Sequence, residues 1–168
     1  RTNVYPLNDI LRQLKKNYIF THIQLKTDKE LLHLLTMKRK LLNNIKCITI
    51  NNKIIIPKHK GQTIKCLPKN ISHLIIGDDL QFYPIHLLKI MPNITHITFG
   101  INYNDINTAF FICQLSLTHL EFGKKFNHIL QVNIPTIKNV SFGHDFNQPI
   151  RFIFENIQYL KFGHDFNQ

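Results

Sequence analysis

The chain repeats itself along its C-terminal half, and that repetition limits what it can fold into more than any other feature. Aligned on glycine, Gly77, Gly100, Gly123, Gly143 and Gly163 follow one another at spacings of 23, 23, 20 and 20 residues. One residue before each stands Ile76, Phe99, Phe122, Phe142 or Phe162, and three before stands Leu74, Ile97, Leu120, Val140 or Leu160. Six before lie Ile71, Ile94, Leu117, Ile137 and Ile157; three after lie Leu80, Tyr103, Phe126, Phe146 and Phe166; four after lie Gln81, Asn104, Asn127, Asn147 and Asn167. A unit of 20–23 residues with these few apolar positions cannot close a core alone, so each must stack on its neighbours. The alternation before the glycine has the two-residue period of a strand, with the residues three and one before it facing inward. The glycine suits a sharp turn or a close approach of backbone. The aromatic after the turn fills the coil, and the asparagine is expected to bind turn amides of its own and the adjacent coil as a ladder. These columns are read as scaffold.

The consensus L-x-x-L-x-F-G-x-x-F-N-Q, completed as Phe146-Asn147-Gln148-Pro149-Ile150 and partly repeated as Phe166-Asn167-Gln168, resembles the FNIP repeat, a leucine-rich-repeat relative of slime moulds and giant amoebal viruses. Phe126-Asn127-His128 and Tyr103-Asn104-Asp105 are variants, and Leu80-Gln81-Phe82 departs furthest. Leu67-Pro68, Met91-Pro92 and Ile134-Pro135 match the L-P that precedes strands in that family. The resemblance covers residues 67–168. It implies an α/β fold: a leucine-rich-repeat-like solenoid with one parallel strand per coil, preceded by an N-terminal helical cap. Ile45, Ile48 and Ile50 read as an earlier degenerate coil or a cap, so the division expected is 1–44 helical and 45–168 solenoid. Short helices are expected opposite the sheet around 84–91 and 106–115.

Residues 7–16 and 28–43 have helical spacing, the second with Thr27 or Asp28 as N-cap, Glu30 in its first turn and Asn43-Asn44 as its end. Pro6 to Leu11 and the stretch from Thr27 to Leu42 resemble an F-box module, which would imply binding of a Skp-type adaptor in a ubiquitin ligase. The alternative is a cap sealing the end of the solenoid.

Net charge is +11, but it is uneven: residues 1–70 hold 15 Lys and Arg against 3 Asp and Glu, and residues 71–168 hold 6 against 7. Lys38, Arg39, Lys40, Lys58 and Lys60 form the basic patch. The rival function, nucleic-acid binding, is therefore confined to the N-terminal part. With 26 Ile, 18 Asn and only four Arg, the composition fits an AT-rich genome, which itself favours Lys.

Little else carries chemistry. Cys47, Cys66 and Cys113 share no metal-binding spacing and suit a reducing, intracellular setting, the host cytoplasm if the chain is viral. No apolar run is long enough for a membrane helix, and no cofactor, metal set or catalytic group is expected. Asn70, Asn93 and Asn139 begin glycosylation sequons that read as by-products of the repeat. His144-Asp145 and His164-Asp165 recur just after the glycine and read as turn residues. His73, His96 and His119 occupy one outward column, where adjacent strands would bring them within reach of a shared metal or of pH sensing, though duplication of the repeat explains the column more simply. The surface expected to bind a protein partner is this outward strand face: His73, Ile75, His96, Thr98, His119, Glu121, Asn139, Ser141, Tyr159 and Lys161. The function expected is a non-enzymatic interaction scaffold.

Overall fold

The computed structural model describes residues 5–6, 22–37, 42–51, 67, 69–78, 90–150 and 155–168. The helical segment 7–16, most of the helix expected over 84–91, the turn at Leu80 and Gln81, Cys66, and Lys38, Arg39, Lys40, Lys58 and Lys60 lie outside the described residues.

Short strands with the I-x-L or L-x-F pattern line up as one parallel sheet. Its strands are β1 (Tyr5–Pro6), β2 (His22–Leu25), β3 (Cys47–Ile50), β4 (His73–Ile76), β5 (His96–Phe99), β6 (His119–Glu121), β7 (Asn139–Ser141) and β8 (Tyr159–Lys161). Their order in the sheet is their order in sequence, the signature of a solenoid that adds one strand per coil. Register is constant: Leu74 pairs with Ile97, Ile97 with Leu120, Leu120 with Val140 and Val140 with Leu160. The inward residues form one continuous core with the L-P positions Leu67, Met91 and Ile134 and with the post-turn aromatics.

The sheet starts earlier than residue 45. β1 pairs with β2 and β2 with β3, Ile23 lying beside Ile48 and Leu25 beside Ile50, so segments of 1–44 belong to the sheet instead of standing apart as a helical region. A helix does form there, α1 (Asp28–Thr36), capped by Thr27 and Glu30: the Glu30 N–H donates to Thr27 Oγ1 at 3.2 Å, and the Thr27 N–H donates to Glu30 Oε2 at 3.1 Å. Leu31 and Leu34 bury against the solenoid core. The helix stops at Thr36, short of Asn43, because Met37 is extended. A second helix, α2 (Thr108–Ile112), occupies the middle of the 106–115 segment.

Stacking explains the glycine column. None of the five glycines has a left-handed φ; what excludes a side chain is the preceding coil. A Cβ on Gly123 would overlap the carbonyl oxygen of Gly100, and one on Gly143 would overlap that of Gly123. Each G-x-x-F segment then closes a tight turn, Phe146 N–H donating to Gly143 C=O at 3.4 Å and Tyr103 N–H to Gly100 C=O at 3.2 Å. The turn returns an aromatic beneath the one before the glycine: Phe142 and Phe146 stack at 3.9 Å, Phe122 and Phe126 at 4.1 Å. Between coils Phe99, Phe122, Phe142 and Phe162 run as a column at 5.2, 5.3 and 5.6 Å, nearly coplanar in orientation.

The asparagines after the aromatics form a hydrogen-bonded ladder. The backbone N–H groups of Asn127, Asn147 and Asn167 donate to Oδ1 of Asn104, Asn127 and Asn147 at 3.1, 2.9 and 3.0 Å. Gln148 and Gln168 add their side-chain amides to the same Oδ1 atoms of Asn127 and Asn147, at 3.1 Å each. Each coil thus satisfies turn amides of the next.

Replacing Gly143 with Ala forces a side chain into a backbone carbonyl. Stability is expected to fall by about 3 kcal/mol, the upper end of the overpacking range, while Lys125→Ala on the exposed side of a turn changes it by less than about 0.5 kcal/mol. Urea unfolding of the two variants checks this.

Candidate functional site

Constant register has a second consequence. Residues that alternate with the core positions form two columns on the other side of the sheet. The first runs His22, Cys47, His73, His96, His119, Asn139, Tyr159; the second runs Gln24, Thr49, Ile75, Thr98, Glu121, Ser141, Lys161. All ten residues named from the sequence therefore lie on one face, partly or fully exposed, while Leu74, Ile97, Leu120 and Val140 between them are buried. Nine of the ten, all but Ile75, line a groove of about 390 Å³ along that face.

The groove is not uniform. At the N-terminal end the face is covered: His22 and Thr49 are 6% and 8% exposed, and His22 Nε2 meets Thr49 Oγ1 at 2.6 Å. At the other end Tyr159 is 53% exposed. The sequence columns began at His73 and so missed His22, Cys47, Gln24 and Thr49; the signal was there in Ile23 and Leu25, which repeat the inward spacing. Burial holds the Cys47 thiol protonated, pushed up to about 11, so it offers neither a nucleophile nor a thiolate ligand at neutral pH. Burial also lowers the pKa of His22.

The three middle imidazoles stack face to face, His73 on His96 and His96 on His119, each pair at 4.0 Å and inclined by 20° and 10°. No carboxylate of the described residues lies between these rings and their Nδ1 atoms are taken up by hydroxyls, so this column lacks the ligand set of a shared metal site. Each Nδ1 meets the hydroxyl of the preceding residue: Ser72, Thr95 and Thr118, at 2.8, 2.8 and 2.9 Å. The Thr95 and Thr118 hydroxyls also donate to backbone carbonyls of the preceding coil, Ser72 C=O and Thr95 C=O. Each threonine hydroxyl thus lies between an imidazole and the backbone of the preceding coil and ties the histidine column to the stack.

Partial burial and the two flanking imidazoles push His96 down to about 4, and burial, His119 and Lys46 lower His73 as well. Both are therefore neutral at pH 7. The second column adds charge of both signs in Glu121 and Lys161, with Thr98 Oγ1 donating to Glu121 Oε2 at 3.4 Å. Chemically the groove is a rigid row of imidazoles, a carboxylate, an ammonium and an aromatic.

No protein-family model matches the chain, and no curated protein matches it. Among solved structures, the protein described as CroV588, a novel circular LRR protein from a giant virus, superposes with a TM-score of 0.59 at 27% identity over 89% of this chain. The chain spans 24% of the length of that protein. The fold is accordingly a leucine-rich-repeat-like solenoid. No helix among the described residues is long and apolar enough to cross a membrane.

The histidine stack makes stability depend on pH with a definite sign. His96 takes up its proton near pH 4 when folded and near its ordinary 6.5 when unfolded. Between those values the unfolded chain binds more protons, so stability is complete above 6.5 and is lost as pH falls toward 4. The thermal midpoint is expected to drop over that window, less steeply in His96→Gln, and an NMR titration should show the His96 ring unprotonated at pH 5.5.

Proposed function

We propose that this chain is a non-enzymatic protein-interaction scaffold that holds its partner in the groove along the outward strand face. The observation that carries the reading is the groove itself, with nine of the ten outward residues lining it on a sheet whose register is fixed by stacking. Rigid, mixed polar and aromatic surfaces bind proteins at low ordering cost. The likeness to a leucine-rich-repeat protein and the FNIP-type consensus support the same class of role.

The chemistry of the groove says what the partner offers. The Glu121 carboxylate calls for donors (hydroxyls, backbone N–H groups or a lysine), and the imidazoles of His96 and His119 offer polar edges beside it. Lys161 calls for an acceptor beside Tyr159. A ubiquitin-ligase role would need residues 1–44 as a separate adaptor-binding module of the Skp-recognising kind. β1 and β2 draw parts of that segment into the sheet, which favours the plain scaffold.

The rival is a nucleic-acid binder that uses Lys38, Arg39, Lys40, Lys58 and Lys60. The two readings separate in one set of measurements on the full chain. A protein partner isolated on the immobilised chain is expected to lose at least about tenfold in affinity in both His96→Ala and Tyr159→Ala, the loss of about 1.4 kcal/mol or more that marks interface anchors. It should be indifferent to Lys125→Ala. Binding of duplex or single-stranded nucleic acid that falls steeply with salt and disappears when Lys38, Arg39 and Lys40 are replaced would support the rival instead.

A further inference from the structure

Away from the groove, on the turn edge after the glycine column, the last two turns carry a second ladder of histidines. The two central residues of the turn are Lys124-Lys125 in one coil, His144-Asp145 in the next and His164-Asp165 in the one after. The His144 and His164 rings lie parallel, inclined by 6°, with centroids 5.0 Å apart. Their partners differ from those of the groove histidines. His144 Nδ1 is 2.7 Å from Asp145 Oδ1 and 3.5 Å from Asp165 Oδ2, and His164 Nδ1 is 2.8 Å from Asp165 Oδ1. The Asp165 carboxylate thus lies between the two rings and turns one oxygen toward each Nδ1.

We propose that His144, His164 and Asp165 form a binding site for a divalent transition-metal ion such as Zn²⁺, with Asp145 able to complete the set. The ligand atoms of His144, His164 and Asp165 all lie within 4.8 Å of one another. Zinc bonds to imidazole and carboxylate are about 2.0–2.2 Å, so ligands around one ion come closer together than this, and the contraction needed is small. The side chains are exposed, His164 by 80% and His144 by 48%, and can close it by χ rotation alone. The backbone under them is already fixed: Asp165 N–H donates to His144 C=O at 3.0 Å, and Asp145 N–H to Lys124 C=O at 2.9 Å. The ion would take the place of the Nδ1 protons that now face the carboxylates. A mixed imidazole and carboxylate set with open positions suits Zn²⁺, Co²⁺ or Ni²⁺ better than Ca²⁺ or Mg²⁺, which prefer all-oxygen cages.

The charges around the site are those of Asp145, Asp165 and Lys124. The hydrogen bond from His164 chiefly holds the Asp165 carboxyl below its ordinary range, with His144 and, from two turns earlier, Lys124 acting in the same direction. Lys124 opposes a cation, so its removal should strengthen binding. The groove histidines make an internal control, since their Nδ1 atoms are engaged by hydroxyls and no carboxylate lies between their rings.

The test is titration of the full chain at neutral pH with ZnCl₂ by calorimetry and with CoCl₂ by visible absorption. One ion per chain is expected, and the cobalt spectrum should lack the charge-transfer band of thiolate ligands. His144→Ala, His164→Ala and Asp165→Asn should each weaken binding at least about tenfold, in line with losses seen when groups that support a metal are removed. Lys124→Gln should tighten it, and His96→Ala should leave it unchanged. The substituted side chains are exposed, and circular dichroism with the unfolding midpoint will show the variants folded. The proposal is overturned if the wild-type chain takes up no stoichiometric ion, if His144→Ala and His164→Ala bind as well as wild type, or if a thiolate band or the loss of binding in His96→Ala places the ion elsewhere.

Discussion

The contact on which the rest of the structure depends is backbone against backbone at the glycine column. With no Cβ at Gly123 or Gly143, each turn rests on the carbonyl of the glycine before it. That contact sets the distance and register between coils together, and fixed register makes every repeat position a stack of itself. Aromatics then meet aromatics, asparagines meet the amides of the next turn and imidazoles meet imidazoles. Ladders of this kind follow from one geometric condition, not from separate solutions in each coil.

The ladders divide the work of holding the coils. Phenylalanine columns remove apolar area from water and add stacking of about 0.5–1.5 kcal/mol per pair. The polar ladders add about 0.5–1.5 kcal/mol net per bond and more where the amide is partly buried, as at Asn147. Seven residues before the glycine, polar side chains of three coils bind carbonyls of the coil before, while Asn93 at the same position has a buried Nδ2 without a partner among the described residues. Asn70 Nδ2 donates to Leu42 C=O and Asn43 C=O, Thr136 Oγ1 to Leu117 C=O and Asn156 Nδ2 to Pro135 C=O. Asn70, which also begins a sequon, has a structural use here.

How much of this the sequence disclosed depended on which residues mark a coil. From Gly77 onward the glycine and the aromatics identified strand, turn and inward positions, and the outward face followed by alternation. Of the earlier strands, β3 was legible from Ile45, Ile48 and Ile50 as a degenerate coil or a cap, whereas β2 was not: Lys26 stands where later coils carry glycine, and only the alternating Ile23 and Leu25 mark the strand. Helical spacing over 28–43 corresponds to a helix over Asp28–Thr36, which follows β2 after two residues. Its leucines bury against the solenoid core rather than in a separate module. The groove residues were legible as a column, whereas the hydroxyls of Thr95 and Thr118 that bridge coils beside them were not, since those contacts depend on the spacing between coils.

The two histidine ladders show why repetition alone does not assign chemistry. Both arise from the same stacking, and both place imidazoles in parallel within 4–5 Å. In the groove the neighbours are hydroxyls and other imidazoles, and burial together with the flanking rings holds His96 well below its ordinary range. On the turn edge the neighbours are carboxylates, and Asp165 turns one oxygen toward each Nδ1. A stack of identical side chains therefore meets hydroxyls in one place and carboxylates in the other. The difference lies in residues one step away along the chain: a hydroxyl before the histidine in the first case, an aspartate after it in the second.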